Sequence, residues 1–156
     1  MSDSKLPLDG VKIIDFSQVM LGPCATQMLA DFGADVIKIE RPKSGDLSRN
    51  VFGGRGEVSQ NNPVFCSLNR NKRSITLNTR TDAAKNVIYE LIKTADVVVN
   101  NFRPGVMTRM GFGYEKLKEI NPGIIFAAGT GFGSKGPYSH KGGQDVLAQA
   151  MSGVME

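Results

Sequence analysis

Residues 31–46 read DFGADVIKIERPKSGD, and this stretch decides the fold. Gly33 marks the end of a helix, because glycine enters the left-handed conformation that closes helices at no steric cost. Residues 35–40 follow as an apolar run rich in β-branched side chains, the pattern of a buried strand. The run stops at Glu40-Arg41, and Pro-Lys-Ser-Gly-Asp forms a polar loop. Upstream, residues 11–16 (VKIIDF) give a second such strand. Between the two, Gly22-Pro23 opens a helix with proline at an early helical position. Cys24, Met28, Leu29 and Phe32 fall on one face of it, and Cys24 reads as core packing. Strand, helix and strand make a βαβ unit, whose crossover is right-handed. Arg41 therefore follows the carboxyl end of a buried strand, where open α/β sheets hold ligands. Two readings stand: an ordinary surface arginine, or a guanidinium for an anion such as a phosphorylated carrier.

The alternation continues along the chain. Residues 47–63 are polar and rich in Gly and Asn, a long excursion of the functional or mobile kind. Residues 64–68 form a short helix or a strand, which periodicity does not separate. Residues 74–78 alternate as a strand. Thr81 caps a helix whose stripe of Ala84, Val87, Ile88, Leu91 and Ile92 runs to about Lys93. Residues 96–101 (DVVVNN) read as a parallel-type strand. Short helices follow, from Pro104-Gly105 to near Gly111 and over 114–120. Residues 124–128 are one more strand, 129–137 (GTGFGSKGP) a glycine-rich loop, and Asp145 begins an amphipathic helix. The expected fold is α/β, a Rossmann-like, mostly parallel doubly wound sheet. No capping glycine or polar tail follows Val154-Met155-Glu156. That reads as an interrupted domain, against the alternative of a small protein with a plain helical end.

Composition narrows the class. A 156-residue chain that is 40% hydrophobic suits one domain with a real core. No apolar run is long enough for a bilayer, and MSDSKLPLDG lacks the layout of a secretory signal. Cys24 and Cys66 share no metal-ligand spacing and are too few for a disulfide framework. The expectation is a cytoplasmic protein with reduced thiols, no membrane partner and no metal. The net charge of +4 comes with no unbroken basic run, and aromatics make up only 7% with no Trp, so nucleic acid is not the expected partner. A small phosphorylated ligand suits the basic residues beside loops better.

Several motifs invite chemistry. The glycine-rich loop lacks a Gly-Lys-Ser/Thr ending and does not follow the first strand, so it is neither a Walker loop nor a dinucleotide fingerprint. It reads as a flexible turn, with a close backbone approach to a ligand as the alternative. Asn101-Phe-Arg-Pro-Gly105 follows a strand directly. Asn101 offers amide donors and an acceptor there, Phe102 a face for a flat base, and Arg109 sits one short helix later. Asn69-Arg-Asn-Lys-Arg73 is either a solvated charge run or a source of cations for phosphates. His140, the one histidine, reads as an exposed loop residue, and Asp15 as structural. Asp145 suits a helix start, where the dipole favours carboxylates. No Ser-His-Asp or Cys-His set is visible.

LDGVKIIDFSQVMLGP, LADFGADVIKIERPKSGD, LNRNKRSITLN, ADVVVNNFRPGV, RMGFGYEKLKEINPGII, GTGFGSKGP and QDVLAQAMSGVM occur in that order. The series resembles the N-terminal part of class III CoA-transferases, the formyl-CoA and crotonobetainyl-CoA transferase family. The resemblance implies that residues 1–156 are the N-terminal, CoA-binding part of a Rossmann-like large domain. The small domain and the C-terminal part would be absent, and full-length chains would pair as interlocked homodimers. It implies coenzyme A or acyl-CoA as substrate with a small carboxylic acid, and transfer of CoA between them through an aspartyl intermediate. It places the nucleophilic Asp beyond Glu156, so that this chain alone is expected to be inactive. By the same resemblance Arg41 contacts the CoA nucleotide. Leu77, Asn78 and Arg80 line the adenine and 3′-phosphate region. Asn101, Phe102 and Arg103 border the cofactor, Arg109 pairs with its phosphates, and Gly142, Gly143, Gln144 and Asp145 approach the pantetheine arm. Met20 and Leu21 complete the cofactor-binding positions. Formyl-CoA transferase carries glutamine where this chain has Met20, and many relatives carry tyrosine at Gln144. Related α-methylacyl-CoA racemases place their acid/base histidine at Gln144, a role an amide cannot fill. Transferase is therefore the leading reading. A racemase-like enzyme and a non-catalytic CoA-binding module are the alternatives.

Overall fold

The computed structural model describes residues 5–50 and 62–155. Five strands form one parallel sheet: β1 (Lys12–Asp15), β2 (Asp35–Glu40), β3 (Arg73–Thr76), β4 (Val97–Asn100) and β5 (Ile125–Ala128). Their order is β3-β2-β1-β4-β5. Ile13 of β1 pairs with Val36 of β2 on one side and Val97 of β4 on the other. The order reverses between β1 and β4, and the loops leaving those two strands diverge there. This is the switch point at which doubly wound sheets bind ligands.

Alternating strand residues feed two layers. Ile14, Phe16, Ile39 and Val98 face helices α3 (Asp82–Lys93), α4 (Val106–Met110) and α5 (Tyr114–Ile120), packing on Ile88, Ile92, Met107, Phe112 and Leu117. Ile13, Val36 and Val99 face α1 (Leu21–Asp31) and pack on Ala30 and Ala34. Local signals act as read from sequence. The Thr81 hydroxyl caps α3, and Gly33 ends α1 at φ +101°. The ambiguous 64–68 run is helical, inside α2 (Pro63–Asn69), because Asn62 caps it at the Val64 N–H and Pro63 pre-sets its first turn. Leu47–Asn50 is a 3₁₀ turn, and most of the expected excursion, 51–61, lies outside the described residues.

One expectation fails on α1. Met28 and Phe32 are 57% and 55% exposed, and the buried face carries Gly22, Pro23, Thr26, Gln27 and Ala30. Leu29 packs partly on the Ile13, Val36 and Val99 layer and Cys24 is half-buried, but Met28 and Phe32 point outward, and the first turns of the inner face meet buried charge. Asp15, fully buried, accepts hydrogen bonds from the Thr26 hydroxyl at 2.6 Å and from the Ser17 N–H at 2.8 Å, and pairs with Lys72 at 3.2 Å. Lys38, also on the α1 side of the sheet, stands 2.8 Å from Asp46 as a buried ion pair. Glu40 takes a two-pronged contact from Arg49, both prongs 2.7 Å, with the Ser74 hydroxyl and the Asp46 N–H completing its shell. The final helix, α6 (Asp145–Ser152), has no buried residue. Among the described residues no helix is long and apolar enough to cross a membrane.

Burial raises the Glu40 and Asp46 carboxyls. Arg49, Ser74 and a backbone N–H outweigh it at Glu40, and Lys38, Ser48 and Val19 at Asp46, so both lie below the ordinary range. A carboxyl whose folded pKa is depressed stabilises the fold above its unfolded pKa and loses that contribution as pH falls through the folded value. Urea midpoints should therefore hold through neutral pH and fall below about pH 4, with a shallower acid limb in Glu40→Gln. Asp46→Asn leaves the Lys38 ammonium unpaired and should cost about 3–5 kcal/mol in the same melts. Ile92→Ala, at a fully buried position, should cost about 2–5 kcal/mol.

Candidate functional site

A cleft opens over the carboxyl ends of β1 to β4. It is lined by Phe16, Gln18, Ile39, Glu40, Arg41, Leu77, Thr79, Phe102, Val106 and Met110, and spans about 430 Å³ counting its solvent-filled mouth. Its floor is hydrocarbon and aromatic, from Phe16, Ile39, Leu77, Phe102, Val106 and Met110. The α3-side core continues upward into it. Gln18, Arg41 and Thr79 supply polar groups at the rim. An apolar slot with a few polar groups at its edge accepts a flat, amphipathic ligand such as a nucleobase.

The arginines divide into two sets. Arg49, Arg70 and Arg73 each lie on a carboxylate, respectively Glu40, Asp31 and Asp35. Arg41, Arg80, Arg103 and Arg109 are exposed, and no described residue pairs with their guanidinium groups. Arg41 follows β2, Arg80 follows β3 and Arg103 follows β4, while Arg109 ends α4. The unpaired cations thus gather around the carboxyl edge, which the basic residues at the amino end of β3 do not share. The 69–73 run is partly the solvated charge run: Arg70 and Arg73 are largely exposed, yet both already bond carboxylates. Asn69 is buried, Arg70 and Asn71 bond Asp31, and Arg73 bonds Asp35. Lys72 donates to Asp15, the Pro23 carbonyl and Asn69. Burial pushes the Lys72 ammonium below the ordinary lysine range, with Asp15 pulling it back.

The remaining expected positions fall in five places. Leu77 and Phe102 line the cleft with Arg41, and exposed Asn78 sits beside them. Asn101 uses both halves of its amide on the backbone of one residue, accepting from the Gln18 N–H at 2.8 Å and donating to the Gln18 carbonyl at 2.7 Å. Met20 and Leu21, at the start of α1, are 60% and 62% exposed, and Leu21 leans on Gly129. Gly142 lies against the Arg103 guanidinium, so closely that an added Cβ would stand 2.6 Å from Nη2. Gly143 packs backbone to backbone on Gly131, where a Cβ on either would stand 2.4 Å from the other's Cα. These contacts fold the chain after the glycine-rich loop back over the end of β4, the close approach that only glycine permits. Gln144 and Asp145 are exposed at the start of α6, away from the cleft lining. His140 is exposed, as expected.

Sequence reading missed Phe16, Gln18, Ile39, Val106 and Met110 as lining, and Lys38 and Asp46 as the charges beneath. Lys38 had a signal. It shares its strand face with Val36, and a lysine on the inward side of a parallel strand needs a buried anion.

The chain matches the model of CoA-transferase family III over residues 8–156. It is 47% identical to an acyl-CoA transferase of Fusarium pseudograminearum, over 99% of this chain and 35% of that protein. It is 45% identical to succinyl-CoA:glutarate CoA-transferase of Mus musculus, over 98% of this chain and 35% of that one. It is 50% identical to formyl-CoA:oxalate CoA-transferase of Rhodopseudomonas palustris, over 94% and 34%. Among solved structures, a CAIB/BAIF family protein from Brucella suis superposes with a TM-score of 0.86 at 41% identity, covering 97% of this chain and 40% of that one. The chain spans about a third of the length of the curated relatives it matches. With a family match over nearly its whole length and the expected parallel α/β fold, this chain belongs to CoA-transferase family III.

Proposed function

We propose that this chain is the part of a CoA-transferase that grips the nucleotide end of coenzyme A. The observation that carries the reading is an apolar cleft at the sheet's switch point with Arg41 in its lining, and with Arg80 and Arg103 in the segments that leave β3 and β4, none of them paired among the described residues. Coenzyme A matches it in kind: an adenine for the Leu77 and Phe102 slot, and phosphates for arginines that no described carboxylate neutralises. The relatives' printed activities, which join CoA thioesters to carboxylates, fit the same substrate class.

In this reading an acyl-CoA donor and a free carboxylic acid exchange CoA through an aspartyl carboxylate. The carboxylate attacks the thioester carbonyl, the C–S bond breaks, and a mixed anhydride and CoA thiolate form. The thiolate attacks the aspartyl carbonyl, releasing the first acid and leaving an aspartyl thioester. The acceptor acid repeats these steps in reverse and leaves as its CoA thioester. Buried Asp15 and Asp46 are committed to Ser17, Thr26 and Lys72 and to Val19, Ser48 and Lys38. As the family resemblance implies, the proposal assigns the attacking carboxylate to polypeptide outside this chain. In the same reading the working protein is a cytoplasmic, interlocked homodimer.

Calorimetric titration of this chain with coenzyme A should show binding, weakened about ten- to a hundredfold in Arg41→Ala. Phe102→Ala should weaken it about tenfold through loss of the aromatic floor. A chain that melts cooperatively yet ignores coenzyme A would sink the nucleotide-grip reading. No CoA exchange between an acyl-CoA and a free acid should be seen with this chain alone, and turnover by it would place the nucleophile within residues 1–156.

A further inference from the structure

Val19 is a strained residue of this edge, as is Lys43 in the loop after β2. The φ of Val19 is +67°, in the left-handed region that β-branched side chains avoid. It follows β1 and precedes α1, so it sits directly on the switch point. Two consecutive peptides there, Ser17-Gln18 and Gln18-Val19, have both their carbonyl and their N–H held by side chains from outside the turn. Lys38 of β2 donates to the Ser17 carbonyl at 2.7 Å. Asn101, just past β4, closes both hydrogen bonds with Gln18. Asp46, in the loop after β2, accepts from the Val19 N–H at 3.0 Å. Gly22 seals the turn from the helix side, where a Cβ would stand 2.2 Å from the Ser17 Cβ. Lys38 and Asp46 are each 1% exposed, so water does not compete for these bonds. A strained residue persists where its surroundings over-determine it, and such residues concentrate at functional sites.

We propose that Asn101 and Asp46 are positioning residues that hold the Gln18-Val19 turn in its strained form, so that Gln18 faces the cleft. Asn101 then acts on coenzyme A through Gln18 and not by touching it. Both halves of its amide are already matched within the protein, and Gln18 itself lines the cleft. The inference rests on the reading of that cleft as the coenzyme A site.

The test uses this chain and its variants Asn101→Ala, Asn101→Asp, Val19→Gly and Asn101→Ala with Val19→Gly. Two readouts are taken: coenzyme A affinity by calorimetry, and hydrogen exchange at the Gln18 and Val19 amides in the free protein. Asn101→Ala should speed exchange at both amides and weaken coenzyme A about tenfold, since a lost pair of hydrogen bonds lets Val19 relax to φ < 0. Adding Val19→Gly should restore most of the affinity, because glycine adopts the left-handed turn without strain. A residue that merely contacts the ligand would show no such rescue. Asn101→Asp keeps the acceptor for the Gln18 N–H and loses the donor, so it should fall between wild type and Asn101→Ala and guards against a misfolded alanine variant. If Asn101→Ala weakens binding, Val19→Gly gives no recovery and exchange at Gln18 and Val19 is unchanged, Asn101 is a direct contact and the proposal is overturned. If the wild-type chain does not bind coenzyme A, the cleft reading fails. The exchange rates then still decide whether Asn101 holds the turn.

Discussion

A buried lysine in a parallel strand sets the terms for the carboxyl edge of this sheet. Lys38 stands where a core position would normally take Val or Ile, and an unpaired ammonium there would be prohibitively costly. Asp46 is brought in to meet it, which draws the loop after β2 back onto the sheet. Once placed, Asp46 also caps the Ser48 N–H and hydroxyl and holds the Val19 N–H. Lys38 uses its remaining reach on the Ser17 carbonyl. One ion pair thus ties β2, its following loop and the β1–α1 turn into a single rigid unit.

The same constraint explains why α1 looks inside out. Its inner face near the edge must answer Asp15 rather than a hydrophobic surface, so Thr26 and Gly22 face inward. Met28 and Phe32 are left outside. On the opposite side of the sheet no such charge intrudes. There Ile88, Ile92, Val98, Phe112 and Leu117 pack as an ordinary core. The cleft is the upper continuation of that apolar side, and the buried charges stiffen the side behind it. Rigidity and a greasy binding surface come from opposite faces of one sheet.

Charge is sorted by end as well as by face. Arg70 and Arg73, entering β3, meet Asp31 and Asp35. Arg41, Arg80 and Arg103, leaving three strands, meet no carboxylate among the described residues. A parallel sheet gathers all its exits at one end, so cations placed just after strands converge without any one of them being near another in sequence. Glycine does comparable work at β4 and β5. Gly142 and Gly143 let the chain after the glycine-rich loop come down on Arg103 and on Gly131 of that loop at distances that a side chain would forbid.

The sequence by itself determined the parallel α/β fold, most element positions and the place of Arg41 at a strand's exit. Those rest on local rules: apolar runs for 35–40 and 96–101, Thr81 and Gly33 as helix punctuation, and the simple fact that Arg41 follows a strand. Only the tertiary structure decided what each polar group is for. Asn101 reads as a ligand donor until Gln18, 83 residues away in sequence, claims both ends of its amide. Asn69-Arg-Asn-Lys-Arg73 reads as a basic patch until Asp15, Asp31 and Asp35 are seen to neutralise it. Polar function depends on the partner a folded chain supplies across long sequence separations, and hydrophobic periodicity carries no record of that pairing.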